Sequence, residues 1–380
     1  MIIKILGAES LGVRGLACSV ELKDRKIIID PGIALGWSRY SLLPHPFQVA
    51  TGAGIRDRII KEVGDASDVV ITHFDGDHCP LLNPNPYQLG INEVKDSLCK
   101  CRIWSKETAD SSFTQLRRSK ELAFALNKDL IDAQGMKEGP LEFSRPVPHG
   151  APAGKVRDVM MVRIEEQKNV FVHASDIQLV DSETIDKIIS WRPDIVLASG
   201  PPLYLYGDVS FERQRLNAWE NALRLCENVG TLVVDHHLLR SAEGVSWLAK
   251  LKDACRNQVL SAADFMERAP LYLESWRKEL YQWLPVDDDW HDAYAKGRVG
   301  FDQYRTRGWD ELIKNGKIRP CKWYYACPVR EYALSGKLER YWIENYCLVR
   351  NKGCIRYQLE ESGRYHPDNM LPDGEIREDL

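Results

Sequence analysis

The sequence lacks several features that would place it in a specialised class of protein. It contains no uninterrupted run of about 18 apolar residues, the length that a membrane-spanning helix requires. It shows no internal repeat and no low-complexity tract, and its 51 Lys and Arg nearly balance its 55 Asp and Glu, for a net charge of −4. These absences exclude a membrane protein. A nucleic-acid partner stays possible but gains no support from the overall charge.

A secretion signal is also missing from the start of the chain. The stretch MIIKILGAESLGVRG has neither the apolar core nor the small-residue cleavage site of such a signal, and it predicts a first β-strand instead. We therefore expect a cytoplasmic protein, in which the ten cysteines are mostly reduced. In that compartment, clustered cysteines indicate metal binding before disulfides.

The 380 residues are 44% hydrophobic and 28% charged, as in an ordinary globular protein of one large and one smaller domain. Short β-branched runs predict strands at Met1–Leu6, Ala17–Leu22, Lys26–Ile29, Val69–Ile71, Val159–Ile164, Val170–Val172, Ile195–Ala198 and Thr231–Val234. Amphipathic segments predict helices at Asp57–Val63, Glu107–Leu126, Ser182–Ile189, Glu212–Glu227, Gly244–Cys255 and Ser261–Trp283. Because some strands form hairpin-like pairs and others alternate with helices, we expect an α+β fold with mixed sheets.

Changes in composition predict three parts. Residues 1–250 would form the main domain, residues 251–310 a helical extension and linker, and residues 311–380 a small cysteine-rich module.

The stretch ITHFDGDHCP, residues 71–80, carries the strongest chemical signal. His73, Asp75, Asp77 and His78 follow a predicted strand within six residues, and such a group is costly to bury without a cation. Imidazole and carboxylate together suit one or two divalent ions such as Zn, Mn or Fe. We therefore predict a metal site. By contrast, His45, His291 and His366 are expected on the surface or in loops.

This stretch resembles the His-x-His-x-Asp-His signature of the metallo-β-lactamase superfamily, with Asp75 in the second ligand position. Further motifs occur in the order of that family: Asp30 in IIIDPG, His149 in PVPHG, Asp176 in VFVHASD, and His236 or His237 in LVVDHH. The resemblance implies a four-layer αββα sandwich. HASD and the compact spacing resemble the branch that contains the ascorbate-lactone hydrolases and an uncharacterised archaeal family.

The resemblance also implies roles for these residues. His73, Asp75 and His149 would hold a first metal ion, and Asp77, His78 and the pair His236/His237 a second, with Asp176 bridging the two. Asp77 and Asp30 are the candidates for a catalytic role, Asp30 more as a support for the site. A carboxylate at Asp75 departs from the family pattern, which makes Mn or Fe plausible beside Zn and leaves room for a single ion.

The function implied is metal-dependent hydrolysis, in which a water activated between two cations attacks an ester, lactone or phosphodiester. Two alternatives stay open: a di-iron enzyme that reduces O₂ or NO, and a non-catalytic nucleic-acid-binding scaffold. Arg14 could anchor an anionic substrate, and Tyr204 lies in a loop expected near the mouth of the site.

Four cysteines near the end of the chain form a second cluster, spaced C-x5-C-x19-C-x6-C: Cys321, Cys327, Cys347 and Cys354. The C-x2–4-C knuckles typical of structural zinc are missing. Irregular spacing and the Cys327–Pro328 step favour a [4Fe–4S] cluster. Structural zinc is one alternative, and disulfides or unligated core cysteines are another.

Overall fold

A computed structural model describes residues 1–108, 111–150, 158–207 and 211–380. The chain forms two compact units: residues 1–262 with 271–305, and residues 263–270 with 306–380. Most of the predicted linker, residues 271–305, therefore belongs to the first unit. Among the described residues, no helix is long and apolar enough to cross a membrane. The cytoplasmic location stays a prediction.

The first sheet of the first unit has six strands in sequence order: β1 (Ile2–Ile5), β2 (Cys18–Glu21), β3 (Lys26–Ile29), β4 (Asp68–Ile71), β5 (Arg102–Ser105) and β6 (Ile131–Asp132). β1, β2 and β3 pair antiparallel, whereas β3 to β6 pair parallel. Consecutive residues Ile27, Ile28 and Ile29 are all fully buried, so both faces of this sheet are covered.

The second sheet has seven strands, in the order β15-β14-β13-β12-β11-β8-β7. They are β7 (Lys137–Glu138), β8 (Leu141–Phe143), β11 (Val162–Glu166), β12 (Asn169–Ala174), β13 (Ile195–Ala198), β14 (Thr231–Val234) and β15 (Gln258–Leu260). β12 to β15 run parallel, and the others antiparallel. The prediction of mixed sheets is confirmed. A separate pair joins β9 (Val147–Pro148) to β10 (Asp158–Val159).

Among the described residues before 262, the α-helices of the first unit are α1 (Pro46–Val63), α2 (Ile91–Leu98), α3 (Phe113–Leu126), α4 (Ser182–Ser190), α5 (Glu212–Asn228) and α6 (Ala242–Ala254). Ile185 of α4, Ala222 of α5 and Leu251 of α6 share one core with Val172 and Val234 of the second sheet. These three helices therefore cover one face of that sheet.

The two sheets approach each other on their inner faces. The rings of Trp104 in β5 and Phe143 in β8 lie with centroids 5.7 Å apart. The ring Nε2 of His173 in β12 lies 2.9 Å from the carbonyl oxygen of Leu16, just before β2. Strand ends of both sheets are thereby brought to a common edge.

The remaining helices are α7 (Ala262–Phe265), α8 (Arg277–Trp283), α9 (Trp290–Ala295), α10 (Asp302–Lys314), α11 (Pro328–Leu334) and α12 (Ile355–Glu361). The prediction of one helix over Ser261–Trp283 is wrong, because the chain is non-helical between Phe265 and Arg277. Pro270 lies in that gap, and proline removes a helical hydrogen bond and clashes with the preceding turn.

His45 was expected on the surface or in a loop, and that prediction is wrong. It is fully buried at the start of α1, where its Nδ1 accepts the backbone N–H of Phe47 at 3.1 Å. Its Nε2 lies 2.8 Å from the carbonyl oxygen of Leu284. The imidazole therefore caps α1 and ties it to a distant part of the chain.

Candidate metal centre

The candidate site lies where strands of both sheets end. Residues 73–78 follow β4, Asp176 follows β12, and His236 and His237 follow β14. The backbone N–H groups of His78 and Cys79 both donate to the carbonyl oxygen of Asp75, at 2.9 and 3.1 Å. This turn folds the ITHFDGDH stretch back on itself, so that its polar side chains converge.

Asp176 lies at the centre of the site, with a left-handed φ of 56°. Its Oδ2 lies 2.9 Å from Nε2 of His149, 3.2 Å from Nε2 of His73 and 3.4 Å from Nε2 of His237. Its Oδ1 lies 3.1 Å from Nε2 of His78 and 3.3 Å from Nε2 of His236. The two oxygens of one carboxylate therefore face different sets of imidazoles.

We call these sets the first half and the second half. The first half contains His73, Asp75, His149, His237 and Oδ2 of Asp176; the second contains Asp77, His78, His236 and Oδ1 of Asp176. His237 and His236 thus face different oxygens of Asp176, although the sequence analysis had grouped the pair at the second ion. All the predicted His and Asp donors converge on this one region.

The residues of the site fit a bound divalent cation. Nε2 of His73 is buried and makes no hydrogen bond of normal geometry within the described part of the chain, although Oδ2 of Asp176 lies 3.2 Å away. Donor atoms of His73, Asp75 and Asp176 lie within 4.8 Å of one another, as do those of Asp77, His78 and His236. Imidazole and carboxylate at this spacing are the ligands that Zn, Mn and Fe prefer.

Asp30 supports the site from behind. It is fully buried, and it accepts hydrogen bonds from the backbone N–H and hydroxyl of Thr72 and from the hydroxyl of Ser175, at 2.8, 2.7 and 2.5 Å. Its Oδ2 lies 3.0 Å from Nδ1 of His78, and the Thr72 hydroxyl lies 3.0 Å from Nδ1 of His73. These contacts direct both Nε2 atoms towards Asp176. Asp30 is therefore a positioning residue in this geometry.

Gln178 is a functional candidate that sequence reasoning missed. Its amide nitrogen lies 3.1 Å from Nδ1 of His149 and 3.2 Å from Nδ1 of His237, and the Tyr206 hydroxyl lies 3.3 Å from its Oε1. The amide of Gln178 therefore contacts the imidazoles of both His149 and His237, which Asp30 does not support. Its only sequence signal is its position two residues after Asp176.

Arg240 was also missed, although it follows His236 by only four residues. It ends a short 3₁₀ helix, Leu238–Arg240, and its Nη2 lies 2.8 Å from Nε2 of His236. Its Nη1 donates to the hydroxyl of Tyr204 at 3.2 Å. Tyr204 is therefore linked to the site through Arg240.

Arg14 was suggested as an anchor for an anionic substrate. Its guanidinium donates two hydrogen bonds to Glu274, from Nε at 2.8 Å and from Nη2 at 2.6 Å. The Glu274 carboxylate is fully buried. An internal counter-ion thus occupies the fork of Arg14. Two other guanidiniums lie near candidate donors: Nη2 of Arg240 lies 3.7 Å from Oδ2 of Asp77, and Nη1 of Arg118 lies 3.8 Å from Oδ1 of Asp75.

Burial and mutual charge set the protonation of the site. Burial would raise the pKa of Asp176, but the neighbouring imidazoles, His78 first among them, lower it well below its usual range. Burial lowers the pKa of His237 to about 4, so this imidazole is neutral near pH 7. Burial also opposes protonation of His78, but the carboxylates of Asp176 and Asp77 raise its pKa well above the usual value. A cation bound here would compete with that proton.

The second unit contains the predicted cysteine cluster. Cys321, Cys327, Cys347 and Cys354 are free thiols that line one cavity of about 360 Å³. Cys327 immediately precedes α11, Cys354 immediately precedes α12, and the backbone N–H of Cys321 donates to the carbonyl oxygen of Cys347 at 2.7 Å. Burial raises the pKa of Cys347, and the other three thiols raise it further.

The fold and site define a mixed α/β protein with a cluster of His and Asp side chains able to hold metal where two sheets meet. The chain is 45% identical over 304 residues to a UPF0282 protein of Methanosarcina mazei, covering 80% of this chain and 99% of that relative. It is 32% identical over 286 residues to UPF0282 protein PF0593 of Pyrococcus furiosus, covering 73% and 91%. The chain belongs to the UPF0282 family, which is archaeal in these relatives. No protein-family model matches it.

Solved structures with a similar arrangement include members of the metallo-β-lactamase superfamily. One is Tm1679, a metal-dependent hydrolase of the β-lactamase superfamily, at 13% identity and a TM-score of 0.39 over 68% of this chain and 94% of that one. Another is Zn²⁺-bound PqqB from Methylobacterium extorquens, at 10% identity and a TM-score of 0.37 over 78% and 96%. The diiron β-hydroxylase CmlA from Streptomyces venezuelae has a TM-score of 0.40 at 11% identity, over 68% and 52%.

Proposed function

We propose that the first unit is a metal-dependent hydrolase of the metallo-β-lactamase type, acting on an ester, lactone or phosphodiester. The observation that carries this proposal is the position of Asp176, whose two oxygens face five imidazoles. The order of the motifs along the chain and their convergence at one edge of two facing sheets give further support. We assign the αββα layering of that superfamily to this unit on the same grounds.

A divalent ion bound at this site would lower the pKa of a water molecule and stabilise negative charge on the attacked group. The chain's own residues supply the rest. Asp77 is partly open to solvent, with 21% of its side chain exposed, and its Oδ2 lies 3.5 Å from Nε2 of His236. His78 lowers the pKa of Asp77 against the opposing effect of burial, so that its carboxylate is ionised and can accept a proton from an attacking water.

Zinc, manganese and iron all suit the first half. Asp75 adds a carboxylate whose Oδ2 lies 3.9 Å from Nε2 of His73. This carboxylate makes the site harder than one built from imidazoles alone, which favours manganese or iron relative to zinc.

The proposal is tested by assaying ester, lactone and phosphodiester substrates with protein reconstituted separately with Zn²⁺, Mn²⁺ and Fe²⁺. Turnover of at least one substrate class should require metal, and Asp77→Ala should abolish it while the circular dichroism spectrum stays unchanged. Asp253→Ala, at an exposed position in α6, is the matched control and should retain turnover. Reduction of O₂ or NO by iron-loaded protein without any hydrolysis would replace the hydrolase with a di-iron redox enzyme.

We propose that the second unit binds a [4Fe–4S] cluster through its four cysteines. Zinc–sulfur bonds of about 2.3 Å would draw four thiolates tightly around one ion, whereas these thiols line a cavity of about 360 Å³. That space suits a larger centre held by four cysteines. Anaerobically purified protein should contain acid-labile sulfide and absorb visible light, and Cys327→Ala should remove both. Zinc without sulfide would assign a structural zinc site instead.

A further inference from the structure

His236 and His237 are adjacent in sequence, but their rings have different surroundings. A histidine that binds metal through Nε2 needs a free lone pair there, and its Nδ1–H normally donates to an acceptor. Asp30 and the Thr72 hydroxyl provide such acceptors for His78 and His73. The same requirement separates His236 from His237.

Both ring nitrogens of His236 face hydrogen-bond donors. The backbone N–H of Gly15 donates to Nδ1 at 3.1 Å, and Nη2 of Arg240 lies 2.8 Å from Nε2. A neutral imidazole has one N–H and one acceptor nitrogen. If Nδ1 accepts, Nε2 carries the proton; if Nε2 accepts from Arg240, its lone pair is already used. In either tautomer, Nε2 of His236 has no lone pair free for a metal ion.

The Gly15 donor is fixed by the backbone. Gly15 has a φ of +123°, and a Cβ at this position would lie 2.6 Å from the carbonyl oxygen of Asp77. Only glycine fits such a conformation beside another backbone. Its N–H is therefore held against the His236 ring.

Arg240 places a permanent positive charge in the second half. Its guanidinium does not lose its proton in proteins, and its side chain is only 7% exposed. Nη2 lies 3.7 Å from Oδ2 of Asp77, and Nε lies 3.4 Å from Oε2 of the buried Glu9. An ion entering between Asp77 and His236 would have to displace this guanidinium or lie beside it.

His237 has the opposite arrangement. Its Nδ1 lies beside the Gln178 amide, which also contacts Nδ1 of His149. The nitrogen and oxygen of an amide are assigned from their hydrogen bonds, and with the oxygen turned towards the rings it accepts both Nδ1–H groups. The Nε2 atoms of His237 and His149 are then free, at 3.4 and 2.9 Å from Oδ2 of Asp176.

We propose that His237, not His236, is the metal ligand of the LVVDHH motif, and that the first half holds the single tightly bound ion. Arg240 supplies the positive charge of the second half. This inference rests on the proposed metal dependence but makes a separate claim about which residues hold the ion.

The test compares the two neighbouring histidines. Zn²⁺ affinity of the first unit is measured without substrate, by competition with a chromophoric chelator, in protein whose four cysteines in the second unit already hold their own metal. The wild-type protein, His237→Ala and His236→Ala are compared. We expect one tight ion in the wild type, an affinity lower by about tenfold or more in His237→Ala, and an unchanged affinity in His236→Ala. Equal losses in both variants, or two wild-type ions of comparable affinity, would overturn the inference.

If an alanine variant fails to fold, the visible absorption of bound Co²⁺ is measured in glutamine variants instead. His237→Gln should shift the visible bands of the bound Co²⁺, and His236→Gln should leave them in place; the reverse pattern contradicts the assignment. Because neither measurement uses turnover, missing hydrolysis would count against the proposed function and not against this inference.

Discussion

Replacing Gln178 by alanine should weaken metal binding without removing any metal ligand. The amide of Gln178 contacts Nδ1 of both His149 and His237 and is itself contacted by the Tyr206 hydroxyl. Each lost hydrogen bond is worth about 1 kcal/mol. Two such bonds correspond to about 2 kcal/mol, or about 30-fold in affinity. Supports of this kind typically change metal affinity by about 10- to 100-fold.

The assay is competition for Zn²⁺ against a chelator of known affinity, with folding monitored by circular dichroism. Gln258→Ala is the matched control, because Gln258 is exposed on β15 and its side chain contacts the Thr231 hydroxyl. The control should bind Zn²⁺ as the wild type does. An unchanged affinity in folded Gln178→Ala would refute the view that this amide orients the two imidazoles.

Three further predictions concern other parts of the first unit. Arg240→Met removes the competing charge and should let a second ion bind to Asp77, His78 and Oδ1 of Asp176, which equilibrium dialysis would count. An unchanged count argues against Arg240 as the competing charge. Asp30→Ala removes the acceptor of four buried contacts. The free energy of unfolding, measured by urea titration, should therefore fall by about 3 kcal/mol. A change near zero would contradict the supporting role of Asp30. Burial lowers the pKa of His45 to about 4, so the unfolded chain binds more protons between that value and about 6.5. The contribution of His45 to the free energy of unfolding is therefore complete above about pH 6.5 and falls by up to about 3 kcal/mol towards pH 4. His45→Asn keeps a capping oxygen and should remove this part of the pH dependence. An unchanged pH dependence would assign it to other groups.

Short-range patterns predicted the parts of this fold that depend on neighbouring residues. The apolar runs Lys26–Ile29, Ile195–Ala198 and Thr231–Val234 are strands with the bounds that the sequence indicated. The first helix was harder to predict, since α1 begins at Pro46 rather than Asp57. Glycines within its first turns lower the helical signal of the sequence, and tertiary packing overrides it.

In the candidate site, too, local motifs could be predicted from the sequence, whereas contacts between distant residues could not. The donors in ITHFDGDH and in LVVDHH were found because each motif is local. The contacts that distinguish His236 from His237 come from Gly15, more than 200 residues earlier, and from the rotamer of Arg240. Likewise, Arg14 is hydrogen-bonded to Glu274, which lies 260 residues later in the sequence. Such contacts cannot be predicted from motif spacing, because the residues are far apart in sequence and meet only in the folded protein.

Whether the first unit is a metal centre is tested by the metal content of the wild-type protein and of Asp176→Asn after dialysis against metal-free buffer. Asparagine tolerates the left-handed backbone at this position and keeps the size of the side chain, so both proteins should give the same circular dichroism spectrum. We expect a tightly bound divalent ion in the first unit of the wild type and its loss from Asp176→Asn. An equal content of that ion in the two folded proteins would contradict a metal centre built around Asp176.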